Sequence, residues 1–514
     1  MERPQIPDTK AYERITGIFK NHKNGITFSD VAAGTGLPLE KVKTLVPLAA
    51  DEFSARLEVT ESGDILYSFP GGFRSRYRGP GPALKRFLVS FARFAADALK
   101  VVFKAWIMVM LIGYFVLFML IALASLFISI SASNSNNRRD GRGGWNFSAG
   151  IFSMIIRLWF YSELFGGGAR RYGSPARTGG WGANIGQKTG KGRPLHRAIF
   201  TFVFGEDDPN KDRLTLEKKE FIFYLRKRRG VVSLPELMTL TGRRPEEAES
   251  FMASLCAEFS GSPEVTEEGT VVYRFEEILL SGEKKEQEDS SAASGGRAAA
   301  VTGLPSLLRK RLKVFSLNSK SMNSWFGIIN GVNLFFGTYF LYNAAAVGPI
   351  LTQTGFQATG IYGFVYYVLS RAGFQALPII SIALGLTPLL FSAFFWLIPA
   401  IRFWLLKREN EALRTDNFRG LFVGRIWADP EQFRLTDVDP PEKECRPRHL
   451  AAVREKLLRE MGSYSVPEVS VDEKQHESFA FPELRREKDA LEHYRQSIDA
   501  SRSAPGQTVF DTSR

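Results

Sequence analysis

The sequence predicts an α+β protein held in a membrane: two winged-helix-like modules joined to an α-helical transmembrane region of three to four spans. Three observations predict it. The stretch Glu58-Val-Thr-Glu61-Ser-Gly63-Asp64-Ile-Leu-Tyr67-Ser-Phe69 returns as Glu264-Val-Thr-Glu267-Glu268-Gly269-Thr-Val-Val-Tyr273-Arg-Phe275. Uncharged stretches long enough to cross a hydrocarbon layer of about 30 Å lie between the copies and after the second. Lysine and arginine gather beside those stretches, as they do on the cytosolic flank of a span.

Each copy has the chemistry of a hairpin: a strand, a turn built on Gly63 or Gly269, and a strand closing on Tyr-x-Phe. The likeness runs upstream without a gap from Gly36 against Gly242, which marks a duplicated domain. In the first module, residues 10–73, Ile15, Ile18 and Phe19 give Tyr12–His22 a helical spacing. Gly25–Phe28 reads as a short strand, and Ser29-Asp30 as the cap of a helix through Ala33, stopped by Gly34 and Gly36. Pro38 opens the next helix, with Val42, Leu45, Val46 and Leu48 inward. Tyr67, Phe69 and Phe73 could anchor a partner, but the alternation of Tyr67 and Phe69 favours core packing. The second module, residues 215–280, repeats the order: helix Glu217–Arg228, strand Val231-Val232, helices opening near Leu234 and Arg244, and the hairpin Glu264–Phe275.

Residues 74–104 read as a basic juxtamembrane helix, with Arg74, Arg76, Arg78, Lys85 and Arg86 as candidate lipid contacts. Residues 105–130 are a transmembrane helix. Residues 145–165 carry Arg157 and Glu163, so they lie in the interface or make a second crossing; the residues leave both readings open. Residues 166–199 are a Gly-rich linker. Its Gly186-Gln-Lys-Thr-Gly190-Lys191-Gly192 fails as a phosphate loop, because the spacing is one residue short and no Ser or Thr follows the lysine. A disordered linker, 281–303, precedes a second basic collar, where Arg309, Lys310 and Arg311 are further candidate lipid contacts. Residues 321–406 form a transmembrane region of two to three segments, kinked where Pro378, Pro388 and Pro399 fall. Residues 407–514 read as a charged cytosolic tail with helical patches at Leu450–Met461 and Leu484–Ile498.

The 514 residues exceed one core, and the net charge of +13 invites nucleic acid or anionic lipid. Two cysteines, Cys256 and Cys445, and five scattered histidines supply neither a disulfide framework nor a metal site. No basic n-region followed by an apolar run opens the sequence, so its start reads as cytosolic, at a cytoplasmic (inner) membrane. No nucleophile, zinc or nucleotide motif marks a catalytic centre, and no cofactor is expected.

Three stretches resemble an uncharacterised family of membrane proteins from cyanobacteria and plastids. They are Gly63-Asp-Ile-Leu-Tyr-Ser-Phe-Pro70 with its preceding helices, Phe204-Gly-Glu-Asp-Asp-Pro209-Asn210, and Leu397-Ile-Pro399-Ala-Ile-Arg402-Phe-Trp404. The resemblance covers most of residues 25–410 and implies no established activity. Some plant members are labelled for iron–sulphur-cluster biosynthesis, but two separated cysteines cannot ligate a cluster without another chain. The residues favour a membrane-anchored interaction or scaffold protein, with lipids and an unknown protein as partners. Its candidate contacts are Glu58, Glu61, Asp64, Glu264, Glu267 and Glu268. The alternatives are a membrane-tethered nucleic-acid regulator and a small transporter or channel subunit. The first is disfavoured because those carboxylates sit where a DNA-reading wing needs bases. The second is disfavoured by the few ionisable groups within the spans.

Overall fold

A computed structural model describes residues 8–21, 25–60, 65–69, 98, 100–133, 194–279, 308–350, 360–440, 443–471, 477–498 and 508–511. The described chain is mostly helical with small sheets. In order it forms α1 (Thr9–Asn21), α2 (Phe28–Thr35), α3 (Leu39–Phe53), β1 (Arg56–Thr60) and β2 (Ile65–Ser68). Helix α4 (Lys100–Phe127) and α5 (Leu195–Phe204) follow. Next come α6 (Arg213–Lys227), β3 (Val231–Val232), α7 (Leu234–Thr241), α8 (Pro245–Phe259), β4 (Ser262–Val265) and β5 (Val271–Arg274). Then α9 (Lys320–Ala346), α10 (Gly360–Arg371) and α11 (Ala376–Ala428) are followed by α12 (Leu450–Gly462), β6 (Glu468–Val471), β7 (Glu477–Ala480), α13 (Pro482–Ser497) and β8 (Thr508–Asp511). Residues 1–100, 204–317 and 399–514 make one compact unit, and residues 101–203 and 318–398 the other.

In the first unit the local chemistry of the two modules coincides position by position, 206 residues apart (58 to 264). Thr27 caps α2 through a reciprocal box with Asp30, and at the start of α7 the matching Glu236 carboxylate accepts from the Ser233 N–H at 3.2 Å. The cap therefore falls two residues earlier than Ser29, and Gly34 lies inside α2, because Thr27 is the residue that meets the Asp30 amide. Gly36 and Gly242 close these helices, each at φ +69. Ser54 and Ser260 close α3 and α8 in the same left-handed region. The hairpin registers agree, Arg56 to Ser68 and Ser262 to Arg274. Ile26 bridges Tyr67 just as Val232 pairs with Tyr273. Tyr67 is buried, and burial raises its hydroxyl pKa.

The two modules share a core and a polar seam. Arg226 on α6 lies 3.0 Å from Asp30 and 2.7 Å from Ser29 Oγ, and Ser29 Oγ donates to the Ile278 carbonyl. Residues 407–498, read from the sequence as a charged tail, fold into that core through Phe418, Phe422, Trp427, Phe433, Leu457, Phe481 and Leu491. The expected helical patches are α12 and α13.

The second unit packs Phe118 of α4 against Phe336 and Phe340 of α9, ring centroids 5.1 and 5.8 Å apart. Helices α9 and α11 approach through glycine. A Cβ at Gly385 would stand 3.0 Å from the Leu341 backbone, and one at Gly337 would stand 3.0 Å from the Leu389 nitrogen. Two helices, α4 and α11, are long and apolar enough to cross a membrane. Each contains a π-helical stretch, Val109–Gly113 and Ile379–Leu386. Of the expected membrane region, Trp325–Val347 falls in α9, and the return stretch divides at Gly373 (φ +79) into α10 and α11. The 145–165 segment, the 281–303 linker, nearly all of the 166–199 linker and most of the 74–104 helix lie outside the described residues.

Candidate functional site

The acidic hairpin tips were the sequence's candidates for partner contact, and the structure sets the chain's own α13 against two of those in the second module. Tyr494 donates its hydroxyl to Glu264, which also lies 3.7 Å from Arg274. His493 Nδ1 is 3.1 Å from Glu268 and, through that hydrogen bond first, holds its carboxyl below the usual carboxylate range. Glu267 is exposed. In the first module Glu58 is half-buried, 3.4 Å from Arg56, and opposite Asp511 of β8 in a three-stranded sheet of order β2-β1-β8. Glu61 and Asp64 lie outside the described residues, as do Arg74, Arg76, Arg78, Lys85 and Arg86.

What fixes α13 here is a buried ion pair. Arg495 bonds Glu236 at 2.7 Å and the Val231 carbonyl at 2.8 Å, while Tyr224 donates to the other Glu236 oxygen at 2.6 Å. Burial, with the Glu236 charge beside it, pushes the Tyr224 hydroxyl pKa far up. About two turns earlier on α13, Glu487 accepts from Tyr464 at 3.0 and 3.2 Å. Burial pushes the Glu487 carboxyl up to about 7, outweighing the stabilising bond from Tyr464. The native state thus holds this proton more tightly than the unfolded chain. Stability from this group falls as pH rises from about 4.5 to about 7 and stays low above it. Glu487→Gln is expected to flatten that fall, leaving the variant about 2–3 kcal/mol more stable than the parent at pH 8 and equal to it near pH 4.5. Urea unfolding at the two pH values checks this; parallel curves would contradict it.

The exposed face of α8 is acidic. Glu246, Glu247, Glu249, Ser250, Ala253, Ser254 and Ala257 face out, while Ala248, Phe251, Met252 and Leu255 face the core. At its mouth Arg243 pairs with Glu217 at 2.6 Å and lies over the Phe251 ring at 3.8 Å. Arg244 sits 4.0 Å from both Glu247 and Glu460. On α3, Lys41 meets Asp8 at 3.1 Å and Lys43 meets Glu277 at 2.8 Å. Each base at these helices therefore has a carboxylate neighbour.

The basic collar is also engaged within the chain. Lys310 pairs with Asp416 at 2.7 Å, and Lys313 pairs with Asp208 and Glu409, each at 3.1 Å. Three asparagine carboxamides grip the backbone of this segment as a strand would. Asn417 takes the Lys310 N–H at 2.7 Å and returns its amide to the Lys310 carbonyl. Asn410 does the same to Lys313, and Asn210 to Arg311. Arg402 lies over the Phe315 ring at 4.1 Å, and Glu206 accepts from the Leu317 amide at 3.2 Å. Arg309 and Arg311 are exposed. Phe204–Asn210 and Arg402, two of the stretches behind the family resemblance, thus meet at one strap. The sequence hid this because Asn410 and Asn417 inside a helix, and Asn210 in a turn, carry no local signal.

Among the described residues no cluster of His, Cys, Asp and Glu could hold a metal ion. Cys445 is buried; Cys256 is half-buried, and burial raises its thiol pKa. No protein-family model matches the chain, and no solved structure matches it. It is similar to an uncharacterized chloroplastic protein of Arabidopsis thaliana, 24% identical over 416 residues, covering 79% of this chain and 70% of that protein.

Proposed function

We propose that the chain is a multi-pass membrane protein whose two winged-helix-like modules form a platform for another protein. The duplication is supported by matching caps, left-handed residues and registers at a constant offset. Crossings by α4 and α11 are supported by their length and composition, and a crossing by α9 by its 27 residues, which carry no charge after Lys320. At about 1.5 Å per residue the 12 residues of α10 rise about 18 Å, short of a crossing, which suits a re-entrant piece. We place the modules on the cytosolic side of a cytoplasmic-type membrane, with Arg309 and Arg311 turned to anionic lipid.

The observation that carries the reading is the exposed face of α8. In a DNA reader this helix would offer bases to phosphate. Here it offers Glu246, Glu247 and Glu249 beside small residues, which fits a cationic protein surface. A photo-crosslinking side chain at Ser250 is expected to capture a polypeptide. Reversing the three glutamates to lysine is expected to lower capture at least about ten-fold. Crosslinking to nucleic acid instead would replace this reading with the tethered-regulator one.

A further inference from the structure

The second unit buries polar atoms that nothing described in it satisfies. Asn330 and Asn333, one turn apart on α9, and Ser392 on α11 have no exposed surface. Both carboxamide nitrogens are used. Asn330 Nδ2 donates to the Ser392 carbonyl at 3.0 Å, and Asn333 Nδ2 donates to the Leu111 carbonyl at 2.7 Å. Asn330 Oδ1, Asn333 Oδ1 and Ser392 Oγ have no hydrogen-bond partner among the described residues. Polar atoms kept in a core without partners call for a ligand that meets them.

The surroundings narrow its chemistry. Two of the open atoms are amide oxygens, which only accept and so repel an anion and suit a cation; the Ser392 hydroxyl can turn its oxygen to the same ion. Among its described residues this unit contains no Asp or Glu, so a divalent ion would lack balancing charge. Neutral side-chain and main-chain oxygens are the set that replaces the hydration shell of an alkali ion. Leu111 lies in the π-helical stretch of α4, and such windings are frequent at functional sites. We propose that Asn330, Asn333 and Ser392, with the main-chain oxygens of Leu111 and Ser392, form a seat for a monovalent alkali cation. The seat joins α4, α9 and α11 and is independent of what α8 binds.

The full-length protein in detergent is heated in sodium, potassium or choline chloride at one ionic strength, and retention of radioactive sodium or rubidium is measured on a desalting column. One alkali ion is expected to raise the unfolding midpoint saturably and to be retained, while choline does neither. Asn333→Asp places a carboxylate at the seat and is expected to lower the half-saturating concentration at least about ten-fold. Asn330→Val with Ser392→Ala is expected to abolish ion dependence. Equal midpoints in the three salts with no retained ion would overturn the proposal and leave ordered water as the partner of these atoms. That comparison uses the unsubstituted protein, so it decides the matter even if a variant fails to fold.

Discussion

Replacing Arg495 with methionine is expected to cost about 3–5 kcal/mol, because it strands a buried carboxylate. Glu236 is 2% exposed and already serves three groups: the Arg495 guanidinium, the Tyr224 hydroxyl and the Ser233 amide at the start of α7. The methionine fills much of the volume but leaves Glu236 to shed its charge or draw in water. The same change frees the Val231 carbonyl and loosens α13 from the strand beside it. Denaturant unfolding of the single variant and of Arg495→Met with Glu236→Gln forms the test. The double variant is expected to recover at least about half the loss, since the stranded charge is gone. A single-variant loss under about 1 kcal/mol would show that the pair is wet rather than dry.

Gly242→Ala is expected to destabilise by about 2–5 kcal/mol, and Gly36→Ala at the matching position by less. Both residues sit at φ +69, where a side chain costs roughly 1–2 kcal/mol. Their neighbours differ. A Cβ at Gly242 would lie 2.3 Å from the Asp416 carbonyl oxygen, and that backbone belongs to a long helix that must move or bend. The Gly242 carbonyl also accepts from Arg419 at 3.0 Å, so the displacement strains a second contact. At Gly36 the nearest atoms are the methyl and carbonyl oxygen of Thr215, both at 3.1 Å, and a few tenths of an ångström relieve them. Equal losses at the two positions would remove the contact with Asp416 as a cause.

The paired strands, Gly269 in the second turn and the helices before the hairpins were legible because each is fixed by neighbours in sequence. Tyr67 alternates with its flanking residues, whereas the cap of α2 falls at Thr27 rather than at Ser29. What was illegible depends on partners far along the chain. Lys310 looked like a lipid contact until Asp416, 106 positions later, stood beside it. Glu264 and Glu268 looked free for a partner until Tyr494 and His493 were placed at them. The 407–514 stretch looked like a tail because its apolar residues are thinly spread among charges. Phe418 and Phe422 become core only when α11 is seen to continue past the apolar stretch at its start.

Asn410 and Asn417 are seven positions apart on a helix, and the residues they hold, Lys313 and Lys310, are three apart on a segment outside the helices and strands. Seven helical steps advance about 10.5 Å, and three extended steps about 10 Å. The two scales agree only at this pairing. A single residue inserted between the asparagines would swing one of them about 100° around the helix and out of reach. Sequence drift at this place should therefore proceed by exchange of side chains, while changes of length are confined to the connections outside it.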